Sequence, residues 1–209
     1  SEFSGAITLG KAATLTAVDL SKLPELMDEM NNFAYQLQGD QQAGIARARS
    51  YAQSFTSIFG SKVPPSYIDL GHLLLILKKE SSNQAVLEAA DNVLAALNEA
   101  VIAEKHGSKK PGASGLSIYY PNSQMYQNPV AGAQSYTAIA ERFASESLWD
   151  EFLLFHYTGE SFEPEQQARA VPAADQALRA PGSGDIQVGQ LELSRSSVSI
   201  GQTTLMSAD

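Results

Sequence analysis

Apolar positions recur at three- and four-residue steps through most of the first half of the chain. Leu23, Leu26, Met27, Met30, Phe33, Ala34 and Leu37 fall on one side of a helix within 19–39. Ser21 stands at its start, Pro24 in its first turn and Gly39 past its end, the residue types that open and close helices. A second helix is expected over 43–59, with Ile45, Ala48, Ala52, Phe55 and Phe59 on one face, broken by "GSKVPPS". The third, over 67–79, is apolar nearly all round from Leu73 to Leu77 and so should be the most buried. The fourth and longest, over 82–105, carries Val86, Leu87, Ala90, Val93, Leu94, Leu97, Val101 and Ile102 as one stripe. Gly107 stops it, and Lys105 and His106 suit the negative end of its dipole. Short helices are expected over 135–144 and 147–157, the latter opened by Ser147 with Asp150 three residues on.

Two runs have a different period. "AATLTAVDL" (12–20) and "GLSIYYP" (115–121) read as buried strands. In the second, Leu116, Ile118 and Tyr120 should face one side and Ser117 and Tyr119 the other, with Pro121 ending the ladder because it has no N–H to donate. Neither run has an evident partner strand, so both are expected to belong to a larger sheet completed outside this sequence. Residues 1–11 read as a tag remnant or an arbitrary start. From 159 to 184 the composition turns to Pro, Ala, Gln and Gly, a linker. Residues 185–209 alternate with period two around "SRSS" and "GQ", like the opening of an Ig-like β-sandwich.

Composition narrows the chemistry. The 209 residues are 44% apolar, enough for a sizeable core. A net charge of −9 disfavours nucleic acid as a partner and suits solubility, a basic substrate or a cation. There is no cysteine, so the chain holds no disulfide, no thiolate metal site and no cysteine nucleophile. No apolar run reaches the ~20 residues that span a bilayer, and the first residues lack the basic and apolar regions of a secretory signal. His72, His106 and His156 have no second ligand at metal spacing and read as structural, His106 as a helix-end charge. Trp149, Phe152, Leu153, Phe155 and Tyr157 read as core packing ahead of a ligand platform. Lys109 and Lys110 lie in an expected surface loop open to nicking after a basic residue.

The ordered series "TLTAVDLSKLPEL", "ARSYAQSF", "YIDLGHLL", "AVIAEKHG", "ASGLSIYYP" and "SYTAIAERFASESLWDEFLLFHY", followed by a linker and an Ig-like start, resembles the C-terminal half of the clostripain-like cysteine peptidases. The resemblance covers 12–158. It implies an α/β, caspase-like fold, here a partial sheet with strands near 12–18 and 115–120 and a mostly helical C-terminal subdomain. The catalytic His and Cys would lie in an N-terminal half outside this sequence, so this chain supplies no catalytic residue and is expected to be inactive alone. The segment "TLTAVDL" would form part of the S1 wall, with Thr16 and Asp19 matched to substrate binding and Arg or Lys preferred at P1. The residues themselves leave Asp19 a second role as a helix cap beside Ser21, and the two are compatible. The resemblance also implies protein or peptide substrates, a secreted or bacterial cell-surface location, and calcium as a candidate cofactor with no ligand assigned. The alternative is a non-catalytic binding or scaffold module of a bacterial surface protein.

Overall fold

Four side chains of the Asp and Asn type set where helices begin. The computed structural model describes residues 10–55, 64–130 and 132–164. In it Asp19 accepts the Ser21 N–H at the head of a short 3-10 turn, Leu20–Lys22. Asp69, Asn83 and Asn122 each accept a backbone N–H at a helix start. These groups satisfy donors that a helix cannot pair internally.

The elements run β1 (Thr14–Val18), α1 (Leu23–Gln36), α2 (Gln42–Tyr51), β2 (Tyr67–Asp69), α3 (Leu70–Glu80), α4 (Gln84–Ala100), β3 (Val101–His106), β4 (Ser117–Tyr119), α5 (Ser123–Tyr126), α6 (Ala133–Ile139), α7 (Glu141–Glu146) and α8 (Trp149–Thr158). The fold is mixed α/β. Helix α1 packs along α4, and α2 along α3. Phe33, Leu37, Ile45, Leu74, Val86, Ala90, Val93 and Leu97 are almost completely buried between them. The expected apolar stripes are therefore the ones that meet, and removing them from water supplies the main driving force. As expected, the run Leu73–Leu77 includes three of the most buried leucine side chains, although Leu75 faces outward.

Both expected strands exist, but each has a partner inside the chain. β1 pairs antiparallel with β3, from Thr14 opposite His106 to Val18 opposite Val101, with an irregularity at Ala17/Val18 that leaves Ile102 without an opposite residue. β4 pairs antiparallel with β2, placing Tyr67 opposite Tyr119, and Ser54 adds a single bridge to Ile68. The two two-stranded sheets replace the single larger sheet that lone strands had implied, as far as the described residues go.

Three expected helices are corrected at their ends. The longest stops at Ala100, and Val101–His106 is a strand. Val101 and Ile102 continue the i, i+4 stripe only by coincidence of spacing; as β-branched residues they suit the ladder with β1. His106 therefore ends a strand, its Nδ1 3.0 Å from Glu104, and is not a helix-end charge. The second helix stops at Tyr51: Ala52 turns extended, and Phe55 N–H reaches the Tyr67 carbonyl. The third begins at Leu70, not at 67, because Tyr67–Asp69 is taken into the second sheet. The expected helix over 135–144 is broken at Ala140 into α6 and α7. The expected linker, 159–184, is corrected at its start: Phe162 is buried and bonded both ways to the Gln38 side chain, so the chain through 164 packs on the body; the rest of the linker and the expected Ig-like strands at 185–209 lie outside the described residues.

Gly115 sits where the two sheets approach, and its φ of 121° is a conformation that favours glycine. A Cβ there would lie 2.8 Å from Val101 Cγ2 and 3.2 Å from Thr16 Cγ2. Close approach and backbone handedness both require this residue type.

Candidate functional site

The expected binding residues Thr16 and Asp19 lie on and just beyond β1. Thr16 is half-buried, opposite Glu104 on β3, with its methyl toward Gly115. Asp19 is partly exposed, and its N–H reaches the Ala100 carbonyl, which fixes the strand end against the end of α4. Its Oδ1 accepts both the Ser21 hydroxyl (2.7 Å) and the Ser21 N–H (2.9 Å). Those two bonds hold the carboxyl below its ordinary range. The cap is thus real. It occupies one oxygen, and Oδ2 takes no donor among the described residues. Thr16 and Asp19 turn to different partners, so the structure does not gather them into one cluster.

A groove of about 670 Å³ opens at Leu20, the residue after Asp19. Leu20, Leu23, Pro24, Met27 and Phe143 give it an apolar floor; Asp28, Glu146 and Arg142 stand at its polar side. Arg142 pairs with Glu146 at 3.2 Å. Apolar stem and acidic rim suit a long side chain with a cationic head.

A second constellation, which sequence reading did not single out, forms where α5, α6 and α8 meet. Asp150 and Glu151 occupy the first turn of α8, where free N–H groups favour negative charge. Tyr136 of α6 stacks on Tyr119 of β4, centroids 4.2 Å apart, and Tyr126 lies against Tyr157 at 4.5 Å. Between them is a pocket of about 190 Å³ lined by Tyr126, Tyr136, Thr137, Asp150, Leu153 and Leu154. The Asp150 and Glu151 carboxyls share a side-chain hydrogen bond, and the Tyr136 hydroxyl is buried with no hydrogen-bond partner among the described residues. Burial raises the Asp150 carboxyl. Burial and then the charge of Asp150 push Glu151 up to about 7. Burial, then Asp150, raises the Tyr136 and Tyr126 phenols as well. The only sequence signal for this site is an acidic pair straight after Trp149. Its burial depends on α6, ten or more residues away, and is not written in local pattern.

The remaining polar residues are structural. Asp69 is fully buried and saturated: Oδ1 accepts the His72 N–H (2.9 Å) and the Ser114 hydroxyl (2.5 Å), and Oδ2 accepts the Ser114 N–H (2.7 Å). The His72 ring accepts the Gln53 N–H at Nδ1 (2.9 Å). The Ser114 hydroxyl is therefore committed to a carboxylate and the imidazole to backbone, which is not a nucleophile–base arrangement. His156 packs between Tyr120, Phe152 and Tyr157, with Nδ1 2.7 Å from Gln42 Oε1; burial lowers it to about 4. The aromatic cluster of α8 is core, as expected, with Trp149 and Phe152 almost wholly buried. Lys110 is anchored, its Nζ on the Ser54 carbonyl at 2.6 Å and over the Phe55 ring, whereas Lys109 is exposed. Among the described residues no three His, Asp or Glu side chains are grouped for a metal ion, and no helix is long and apolar enough to cross a membrane.

No family model matches the sequence, and neither a curated protein nor a solved structure matches it.

Proposed function

We propose that this chain is the C-terminal part of a clostripain-like cysteine endopeptidase that cleaves after Arg or Lys. The observation that carries the reading is the Asp19 carboxylate. It is partly exposed at the end of β1, held ionised by Ser21, with one oxygen uncommitted among the described residues and an apolar groove opening at the next residue. A guanidinium or ammonium can pair with that oxygen while its methylene stem lies along Leu20 and Leu23. The nucleophile is a thiolate, and this chain has no cysteine, so the catalytic His and Cys come from a segment N-terminal to it. In this division of labour the chain holds the P1 side chain and buttresses the catalytic strands, and cleavage proceeds by thiolate attack on the scissile carbonyl elsewhere.

The upstream coding sequence should contain a His-Gly and an Asp-x-Cys, each after an apolar strand; their absence rejects the proposal. In the full-length protein, cleavage of Arg and Lys esters or amides should be abolished by alkylation. Asp19→Asn should lower kcat/KM for Arg substrates by about 10- to 1,000-fold. A change below about twofold with the fold intact leaves Asp19 a cap alone. The absence of cysteine also favours a second reading, a non-catalytic surface-protein module, which full-length protein without alkylation-sensitive activity would support.

A further inference from the structure

We propose that the groove beside Asp19 selects a peptide segment in which a basic residue and a large apolar residue stand two positions apart. This deepens the peptidase reading of the same site and rests on it for seating the basic side chain at Asp19.

The groove is too large for one side chain. Its volume of about 670 Å³ lies within the range of about 300–1,000 Å³ that holds a whole small ligand. A basic side chain on Asp19, with its stem along Leu20 and Leu23, leaves Pro24, Met27 and Phe143 uncovered. Leu23 and Met27 stand four residues apart on α1, about 6 Å along the helix axis. An extended peptide presents its next same-side residue after about 6.6 Å, and the residue between points away. A peptide lying along α1 therefore sets a second side chain over Met27 and against Phe143 when the two residues are two positions apart. The lining there is apolar, and Leu20 at the near end is 73% exposed, a large apolar surface that such a peptide removes from water. The two walls are fixed to each other. The Asn31 side chain on α1 donates to the Glu146 carbonyl (3.2 Å) and accepts the Leu148 N–H (2.9 Å), which pins the end of α7 to α1.

Charge decides the occupant in favour of a basic segment. The cations beside the groove are engaged: Lys22 lies 3.8 Å from Glu99, and Arg142 3.2 Å from Glu146. Among the described residues, Asp19 keeps an oxygen without a donor and Asp28 pairs with no cation. The chain as a whole carries −9. A second copy of it would bring the same negative surplus to the groove, whereas a basic segment neutralises that surplus. The apolar side chain two positions along then adds affinity by leaving water, and Asp28 and Glu146 at the rim disfavour an acidic residue in its place.

The test is isothermal titration of the whole chain with glycine-flanked peptides carrying Phe-Ala-Arg, Arg-Ala-Phe, Ala-Ala-Arg or Phe-Arg-Ala. The better of the first two should bind about tenfold or more tighter than Ala-Ala-Arg, through burial of the phenylalanine ring. It should exceed Phe-Arg-Ala by about as much, because adjacent side chains point to opposite sides. Met27→Ser, at a partly exposed position, should remove most of that preference, and Leu154→Ser, in the other pocket, should leave it. Ala-Ala-Arg or Phe-Arg-Ala binding as tightly as the better-spaced peptide, no saturable binding of any, or an unchanged preference in folded Met27→Ser overturns the proposal. The wild-type comparison decides the matter even if a variant fails to fold. A dimer in sedimentation that Leu20→Ser dissociates and Phe-Ala-Arg does not would put a second copy in the groove and also overturns it. In the full-length protein the favoured spacing should raise kcat/KM after arginine about tenfold. Cleavage after arginine without that preference overturns the inference and leaves the peptidase reading intact. The preference in binding without alkylation-sensitive cleavage removes the peptidase reading and leaves the groove's selectivity standing.

Discussion

Asp69 shows how much one residue can carry. It caps α3, and it also ties Ser114, in the loop before β4, to that cap through two bonds. Asp69→Ala should destabilise the fold by about 3 kcal/mol, since it strands three buried donors; Asp69→Asn, which keeps an acceptor, should cost about 1–2 kcal/mol. Urea denaturation measures both. The titrating pair Glu151 and His156 predicts a pH effect with opposed signs. Glu151 keeps its proton in the fold up to about 7 against an ordinary 4.5, so it favours the fold at low pH and that contribution is lost as pH rises through about 7. His156 resists protonation down to about 4 against 6.5, so its contribution is present above 6.5 and lost as pH falls toward 4. The Glu151 carboxyl is faced by Asp150 and Tyr136, and His156 by Gln42, Tyr120 and Tyr157. The two slopes oppose each other between about 4.5 and 6.5. Glu151→Gln should therefore expose a loss of about 1–2 kcal/mol on acidification, after allowance for solvent screening, where the wild type shows a flatter profile. A wild-type profile as steep as the variant's would contradict this.

At the scale of elements, the junction of α4 with β3 is the instructive case. Leu97 and Val101 are four residues apart, so the spacing continues a helical stripe, yet the backbone turns extended at Val101. What ends the helix is distant in sequence: β1 supplies the ladder, and Gly115 the space for Val101. Gly115→Ala should cost about 2–3 kcal/mol, from positive φ and from the clash. Adding Val101→Ala should recover only the clash share, about 1 kcal/mol beyond additivity in a double-mutant cycle. Helices α1 and α4 were legible because each buries a continuous stripe against the other, so local period and tertiary contact agree. β2 was not, because Tyr67–Asp69 is three residues long and merges with the apolar start of α3. Asp19 was legible as a cap, because the Ser21 it bonds is two residues on. The Asp150–Glu151–Tyr136 cluster was hidden because neither α6 nor α8 announces which of its polar groups the other will cover.

For the whole molecule, one apolar core joins α1 to α4 with Tyr120, Tyr136, Trp149 and Phe152. Such continuity predicts a single cooperative transition, with far-UV circular dichroism and near-UV signals superimposing across urea. The β1–β3 sheet has two strands and thus an unpaired edge on each side among the described residues, and Ile102 on β3 is 68% exposed. Open edges beside exposed apolar side chains template pairing with other chains. The chain should self-associate with rising concentration in light scattering, and Ile102→Lys should reduce this. A monomer at every concentration would count against the sheet being completed by an upstream segment.

The chain has one tryptophan. Its indole N–H donates to the Tyr119 carbonyl at 2.6 Å, its ring meets Tyr120 and Phe152, and it immediately precedes Asp150. The molecule therefore contains its own optical gauge. Emission from Trp149 arises from one dry environment, and it should shift to the red when the core opens to water. Tyr119 links that indole to the stacked ring of Tyr136, so unfolding can be followed on a single sample without any label.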